Sequence, residues 1–292
     1  MIIGRIIEGR GGIYTIRDEN GKDFILRAKK HFRHEGMVPL VGDRVSFTPG
    51  NLKEHGWLEQ IFPRSSLSVR PPVANITQLV IVLAPEPEPD FLLADKLLVF
   101  ASRQNIMPLI AVNKSELNPG LAREIQETYS TSGIKVLAVS AETGEGLEPL
   151  RKEMTGHQSC FAGQSGAGKS TLISRLTGRE LETGEISRRI HRGKQTTRHI
   201  TLIEAHGLCV LDTPGFSLLE LPDDLQPEQL CEHYPEFRPF GGQCRFNPCL
   251  HDREPDCAVQ KASLSNEISP LRLSRYRILL ETTRENWSRR YD

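Results

Sequence analysis

The chain has 292 residues, 38% of them hydrophobic and 25% charged, with a formal net charge of zero. That length suits one large domain or two to three ordinary ones, and the composition excludes a disordered, fibrous or disulfide-dense chain. Zero net charge leaves no global field for nucleic acid, no apolar run reaches the roughly 18 residues a membrane span needs, and Met1-Ile2-Ile3-Gly4-Arg5 does not open as a signal peptide.

Residues 1–64 read as short strands joined by turns. Ile13-Tyr14-Thr15-Ile16 and Phe24-Ile25-Leu26 flank Asp18-Glu19-Asn20-Gly21, which predicts a hairpin. Val41 to Phe47 alternates apolar and polar residues, and Gly56 to Ile61 reads as a closing strand, so a small β-barrel is expected. Arg64 to Pro72, with serines and prolines, reads as a linker. From about residue 75 strands alternate with helices: a continuous apolar strand Gln78 to Ala84, a helix Phe91 to Gln104, a strand Met107 to Val112, and a helical Leu121 to Ser132. Lys135 to Val139 is a further strand, Leu147 to Met154 a helix, and Ser159 to Ala162 a strand. Such alternation predicts a parallel sheet covered by helices. Past residue 222 a Pro-, Cys- and aromatic-rich segment leads into a helical tail, with Ser269 at the N-cap and Pro270 at the first helical position.

Gly163-Gln164-Ser165-Gly166-Ala167-Gly168-Lys169-Ser170 matches Gly, four residues, Gly-Lys-Ser/Thr, between a short apolar strand and a helix beginning at Thr171. Glycines let backbone N–H groups converge on phosphate oxygens, and the helix that follows turns its positive end toward them. In that pattern Lys169 reaches the β- and γ-phosphates and Ser170 ligates Mg²⁺. Leu208 to Leu211 is a strand ending in Asp212-Thr213-Pro214-Gly215. Asp212 suits Mg²⁺ through water, and the Gly215 N–H suits sensing of the γ-phosphate. Asn113-Lys114-Ser115-Glu116 closes the strand at Val112 and is similar to the Asn-Lys-x-Asp element that reads guanine. A carboxylate there accepts from the N1–H and exocyclic amine of guanine, and Glu116 adds a methylene to the usual Asp. Ser140-Ala141 after the strand at Val139 is similar to the loop that supports the base from its other side. Thr196 and Thr197 stand where a switch threonine belongs. Phe216, just past the Asp-x-x-Gly, cannot orient water, which leaves Gln195 or His199 as candidates.

These elements come in the order base-reading motif, base-supporting loop, phosphate loop, switch threonine, Asp-x-x-Gly. Ordinary GTPases begin with the phosphate loop. The rotated order is that of a circular permutation, joined near Thr155-Gly156-His157, which leaves the three-dimensional site intact. It also runs the Asp212 strand almost directly into the C-terminal segment, a route by which the phosphate state is expected to reach residues beyond Phe216 to Leu221.

Six cysteines in a chain this long are no disulfide framework. Cys244, Cys249, His251 and Cys257 form Cys-x4-Cys-x-His-x5-Cys, a closed tetrahedral shell for one structural Zn²⁺. Cys160 and Cys209 sit on apolar strands as packing residues, and Cys231 has no evident partner. A reducing cytoplasm fits this usage.

Gly163 to Ser170, Asp212 to Phe216, and the Cys/His cluster followed by Glu254-Pro255-Asp256-Cys257-Ala258-Val259 together resemble the circularly permuted small-ribosomal-subunit biogenesis GTPases, the RsgA family, over nearly the whole chain. The resemblance implies an OB-fold barrel over residues 1–68, a permuted GTPase domain over 72–222, and a zinc domain with C-terminal helices over 223–292. It implies binding of GTP and GDP, a place late in small-subunit assembly, rRNA contact, and hydrolysis stimulated by that subunit. No self-association motif is seen, so a monomer is expected, in the cytoplasm that the cysteine usage suggests. Two departures stand out: Glu116 for the usual Asp, and Gln195 with Arg198 in the switch, where the family commonly reads Gly-Arg-His-Thr-Thr-Thr. For RNA, the residues themselves offer Lys29, Lys30, His31, Arg33 and His34 around Phe32, and Arg272, Arg275 and Arg277 on the last helix. Two other readings stay open on the residues alone: an RNA-binding module gated by nucleotide with negligible hydrolysis, and a phosphate-loop ATPase.

Overall fold

The computed structural model describes residues 2–29, 32, 36–50, 55–69, 71–180, 200–212 and 220–290. The chain divides into two compact units, the first made of residues 1–80, 147–162 and 169–216, the second of 81–146, 163–168 and 217–292.

In the first unit, β1 (Ile2–Arg10) is long enough to serve more than one neighbour on one edge. It pairs antiparallel with β2 (Ile13–Asp18) through a bulge between Ile6 and Glu8, and with β4 (Arg44–Thr48) in the register Ile2↔Phe47 to Arg5↔Arg44. β2 forms the expected hairpin with β3 (Asp23–Ala28), β3 runs parallel to β5 (Gly56–Ile61), and β5 returns antiparallel to β4. The circuit β1–β2–β3–β5–β4–β1 closes a five-stranded barrel, which removes the exposed edges an open sheet would leave. Alternate residues point inward along each strand, so Ile6, Ile16, Leu26, Val45, Phe47 and Leu58 fill the interior. The stretch expected as a linker carries its own ladder instead: β6 (Leu67–Val69) pairs with β7 (Pro72–Ala74), and Val41 bridges to Val73.

The same unit holds α3 (Leu147–Met154), β11 (Gln158–Ala162) and α4 (Lys169–Thr177). It also holds a hairpin of β12 (Thr201–Ala205) and β13 (Leu208–Asp212), of which only the second strand was legible in the sequence. β11 and β13 run parallel, and β12 pairs with β1 at Glu8↔Thr201.

The second unit contains the end of β8 (Gln78–Leu83), then α1 (Phe91–Arg103), β9 (Met107–Val112), α2 (Leu121–Thr128) and β10 (Lys135–Ala138). β9 and β10 pair in parallel; the apolar end of β9, Leu109 to Val112, is buried, while β10 lies at the sheet edge with its residues half-buried or exposed. Asp90 caps α1 by accepting from the Leu93 N–H at 2.8 Å. The helical run expected to Ser132 ends at Thr128, and Ser130–Ser132 is a 3₁₀ turn closed by Gly133. The tail comprises 3₁₀ segments Pro227–His233 and Pro235–Phe240, α5 (Ala258–Leu264) and α6 (Pro270–Ser288). Ser269 occupies the N-cap position of α6, but its side chain makes no capping bond. Leu230, Tyr234, Phe237, Val259, Ile268, Tyr276, Leu279 and Leu280 form the core of this tail. Among the described residues no helix is long and apolar enough to cross a membrane.

Candidate functional site

Asn113 is the organising residue of the second unit. The strand ends there, its N–H donating to the Leu83 carbonyl at 2.8 Å, and its side chain is 1% exposed. The Asn113 Nδ2 donates to the Ala167 carbonyl at 2.9 Å, while its Oδ1 accepts from the Ala141 N–H at 3.1 Å. One carboxamide thus ties together three segments that the sequence presents as separate motifs. Only an amide supplies a donor and an acceptor in this geometry; Asp loses the donor and Leu loses both.

The phosphate loop fits this arrangement only with its glycines. Gly163 sits at φ +128°, and a Cβ there would lie 2.3 Å from the Val82 carbonyl oxygen. Gly168 sits at φ +88°, where a Cβ would lie 2.2 Å from Asn113 Nδ2. Both positions combine left-handed backbone with close approach, so no other residue serves. Gln164 has a role the sequence did not show. Its Oε1 accepts from the Asp90 N–H at 2.5 Å, and its Nε2 donates to the carbonyls of Glu88 at 2.7 Å and Pro87 at 3.2 Å. The second residue of the phosphate loop therefore holds the loop that starts α1. Lys114, in the left-handed region at φ 59°, donates its Nζ to the Glu86 carbonyl at 2.6 Å.

Around the base-reading residues, Ser140 is buried and its Oγ accepts from the Thr143 N–H at 3.0 Å, closing a tight turn after β10. Ser115 is buried with its Oγ unpartnered, and Glu116 is exposed, free to reach a ligand.

In the first unit, Lys169 and Ser170 open α4, Thr171 follows them, and Asp212 ends β13. Burial pulls the Lys169 ammonium down to about 8. Burial likewise pushes the Asp212 carboxyl above its ordinary range. Each is a charge held out of water, which a polyanion with its divalent cation would compensate. Gln195, Thr196, Thr197 and Gly215, with Phe216, lie outside the described residues.

The cysteine–histidine cluster assembles as its spacing requires. The candidate ligand atoms of Cys244, Cys249, His251 and Cys257 all lie within 4.8 Å of one another. Cys244 Sγ is 3.8 Å from Cys257 Sγ, and His251 Nδ1 is 3.3 Å from Cys257 Sγ. Thiolates and an imidazole around a tetrahedral zinc ion stand roughly 3.3–3.8 Å apart, given bonds of about 2.0–2.3 Å, so the donor set fits that metal. The surroundings of the cluster are held by hydrogen bonds. Glu254 accepts from the N–H groups of Leu250 at 2.8 Å and Asp252 at 2.9 Å, and the Tyr276 hydroxyl donates to the Leu250 carbonyl at 2.9 Å. Burial lowers the His251 imidazole, keeping it in the neutral form that ligates, and pushes the Cys249 thiol up to about 12. Cys231 is not among the clustered residues; its Sγ lies against the Glu228 carbonyl.

Two expectations for nucleic-acid contact change. Phe32 is 2% exposed and so offers no stacking face, and Lys29 is paired with Glu59; Lys30, His31, Arg33 and His34 are not described. Arg272 is also 2% exposed. It donates to Asp95 at 2.5 Å and to Glu236 at 2.7 Å, while Arg275 donates to the other oxygen of Asp95 at 2.7 Å. Tyr129 adds its hydroxyl to Asp95 at 2.6 Å. These arginines pin α6 to α1 rather than facing a partner. A lone Asp on the apolar face of Phe91 to Gln104 was the one available signal, and one sequence does not say which arginine meets it.

Comparison with known proteins matches residues 61–222 to the RsgA GTPase family model and residues 3–58 to the RsgA N-terminal domain model. The chain is 43% identical over 282 residues to the small ribosomal subunit biogenesis GTPase RsgA of Ruminiclostridium cellulolyticum, covering 94% of this chain and 92% of that one. It is 41% identical to the protein of the same name from Geobacillus thermodenitrificans, covering 94% and 95%. Among solved structures it is similar to YjeQ from Thermotoga maritima, with a TM-score of 0.82, 33% identity and coverage of 97% and 98%. It is also similar to YloQ, a circularly permuted GTPase, with a TM-score of 0.81, 29% identity and coverage of 98% and 96%.

Proposed function

The chain belongs to the RsgA GTPase family and is a GTP-hydrolysing enzyme, and from that premise we propose that it acts late in maturation of the small ribosomal subunit, which stimulates its hydrolysis. The single observation that carries the nucleotide chemistry is the Asn113 side chain, bonded at once to the phosphate loop and to the Ser140-Ala141 turn. An amide so placed makes base recognition and phosphate binding one rigid unit, so the nucleotide is held at both ends by backbone already in position.

In this reading the N–H groups from Gly163 to Thr171 cradle the phosphates, and Lys169 neutralises the β- and γ-oxygens. The family implies Mg²⁺ with GTP, which supplies charge neutralisation on those same oxygens. Ser170 and Asp212 are the side chains to hold it, Asp212 through water. Asn113, Lys114 and Ser115 shape the base site, and the exposed Glu116 accepts from guanine, with Ser140 and Ala141 on the other side. Thr196 or Thr197 and the Gly215 N–H read the γ-phosphate, and Gln195 orients the attacking water in place of the residue that Phe216 cannot be. Residues 1–68, 72–222 and 223–292 form the barrel, GTPase and zinc domains. The last is stapled by Zn²⁺ on Cys244, Cys249, His251 and Cys257. The protein works as a cytoplasmic monomer on rRNA of the subunit.

GTP turnover with and without purified small subunits, at a stated salt concentration, tests this. A rise of tenfold or more is expected. Equal turnover in both would reject the ribosomal reading while leaving the GTPase intact.

A further inference from the structure

The first unit contains a cavity of roughly 580 Å³, within the range of small-molecule sites, where the barrel meets the turn at Gly156-His157. It lies at the start of β11, whose other end leads into the phosphate loop. Five residues of strand, roughly 16 Å, separate the two ends. Nothing in the nucleotide chemistry uses it.

Its walls are chemically one-sided. Arg5, Arg44 and His157 line it, and none of the described lining residues is Asp or Glu. Arg5 and Arg44 are direct cross-strand partners in the β1–β4 ladder. Two like charges opposite one another in an antiparallel pair destabilise the sheet, so the barrel gains nothing from placing them there. Their ion-pair partners stand at long range: Arg5 Nη1 is 3.5 Å from Glu204, which it shares with Arg17, and Arg44 Nη2 is 3.8 Å from Glu19. A guanidinium has five N–H donors, and these contacts engage one nitrogen of each. The Arg44 guanidinium lies over the Phe62 ring at 5.4 Å, which keeps it beside another lining residue of the cavity. Thr77 sets the orientation of His157, its Oγ1 lying 3.5 Å from Nδ1.

We propose that this cavity binds a phosphate ester of nucleotide size, its phosphate received between the Arg5 and Arg44 guanidiniums. Paired, planar, donor-rich cations whose carboxylate contacts are long and leave most of their N–H donors unused are the groups that recognise such an anion bidentately. The ester has two possible sources, a free nucleotide or one residue of a single RNA strand, and the chemistry is the same for both. The site stands independently of the ribosomal reading. Loss of subunit stimulation with phosphate-ester binding intact would sink that reading and leave this one.

The test uses the full chain saturated with GDP and Mg²⁺, so that the phosphate loop is filled. The probes are adenosine 5′-monophosphate and a single-stranded oligouridylate, titrated with hydrogen-exchange mapping. At least one probe is expected to protect residues 155–158 and 204–209. Arg44→Glu should weaken that probe tenfold or more, and Arg5→Gln should weaken it in the same direction, with GDP affinity unchanged. Arg44 is exposed, and among the described residues its guanidinium has the long contact to Glu19 and the Phe62 ring beneath it, neither of them in the barrel interior, so its replacement spares the barrel; Arg44→Gln serves as the milder variant. Binding of the monophosphate identifies a free nucleotide. Binding of the oligonucleotide alone identifies RNA, with the slope of log K against log salt falling by about 0.7 when Arg44 is lost. If neither probe protects these residues, or if protection is equal in Arg44→Glu and the unaltered chain, the site does not exist.

Discussion

Asp95→Ala removes the hub of a buried charge cluster, and the expected cost follows from the contacts. Asp95 is fully buried on α1 and receives Arg272 at 2.5 Å, Arg275 at 2.7 Å and the Tyr129 hydroxyl at 2.6 Å. The cluster is neutral as built, two guanidiniums against Asp95 and Glu236. Removing one carboxylate leaves a net positive charge around Arg272, whose side chain is 2% exposed and has no route to water. Breaking a buried pair from one side costs about 3–5 kcal/mol, because the surviving charge keeps its desolvation penalty and loses its compensation. For a unit of this size each kcal/mol moves the melting temperature by about 2–4 °C, so a fall of roughly 6–20 °C is expected in thermal unfolding. Replacing the whole cluster, Asp95→Leu and Glu236→Leu with Arg272→Met, Arg275→Met and Tyr129→Phe, should recover most of that loss, since well-packed apolar groups carry no such penalty. A drop below about 1 kcal/mol for Asp95→Ala alone would show that water reaches Arg272 and that the buried-charge reasoning is wrong.

Asn113→Ala orphans the Ala167 carbonyl and the Ala141 N–H, each a cost of about 1–3 kcal/mol to the ordered site, and GDP affinity should fall by roughly tenfold or more in a titration; a change under threefold refutes the bridging role. The full chain should carry one zinc per molecule by metal analysis; Cys244→Ser should lose it and Cys231→Ser keep it, and chelation should unfold the tail, since a structural zinc contributes roughly 10 kcal/mol or more. Loss of zinc in Cys231→Ser would redraw the ligand set. Burial, with Arg103 nearby, holds the His233 imidazole below its ordinary value of 6.5. The unfolded chain then takes up a proton that the folded chain refuses, so stability is unaffected above 6.5 and is lost as pH falls through 6.5 toward the folded value. His233→Gln, which keeps a partner for Ser102, should lose less stability between pH 7 and 5 in urea unfolding; superimposable pH profiles would dismiss the effect.

The sequence by itself determined the motifs and their order. Glycine spacing, Lys169 and Ser170, the strand-ending Asn113 and Asp212, and the Cys/His spacing are local chemistry, written in contiguous residues that no other fold would require together. The barrel hairpin and the parallel strands were legible for the same reason, because hydrophobic period and turn residues act within a few positions. The rest depended on pairs far apart in the chain. β12 was given no reading from the sequence, and its pairing with Leu208 to Asp212 makes it a strand. The linker at Arg64 to Pro72 became a ladder because residues 67–69 found 72–74. Gln164 gripping the start of α1, Asp95 capturing Arg272 and Arg275, and Arg5 set opposite Arg44 each join residues with no local mark of their partner. A charged side chain reads the same in sequence whether it faces solvent, a ligand or a buried counter-ion. Only the tertiary structure, by fixing its distance from the opposite charge and from water, decides which.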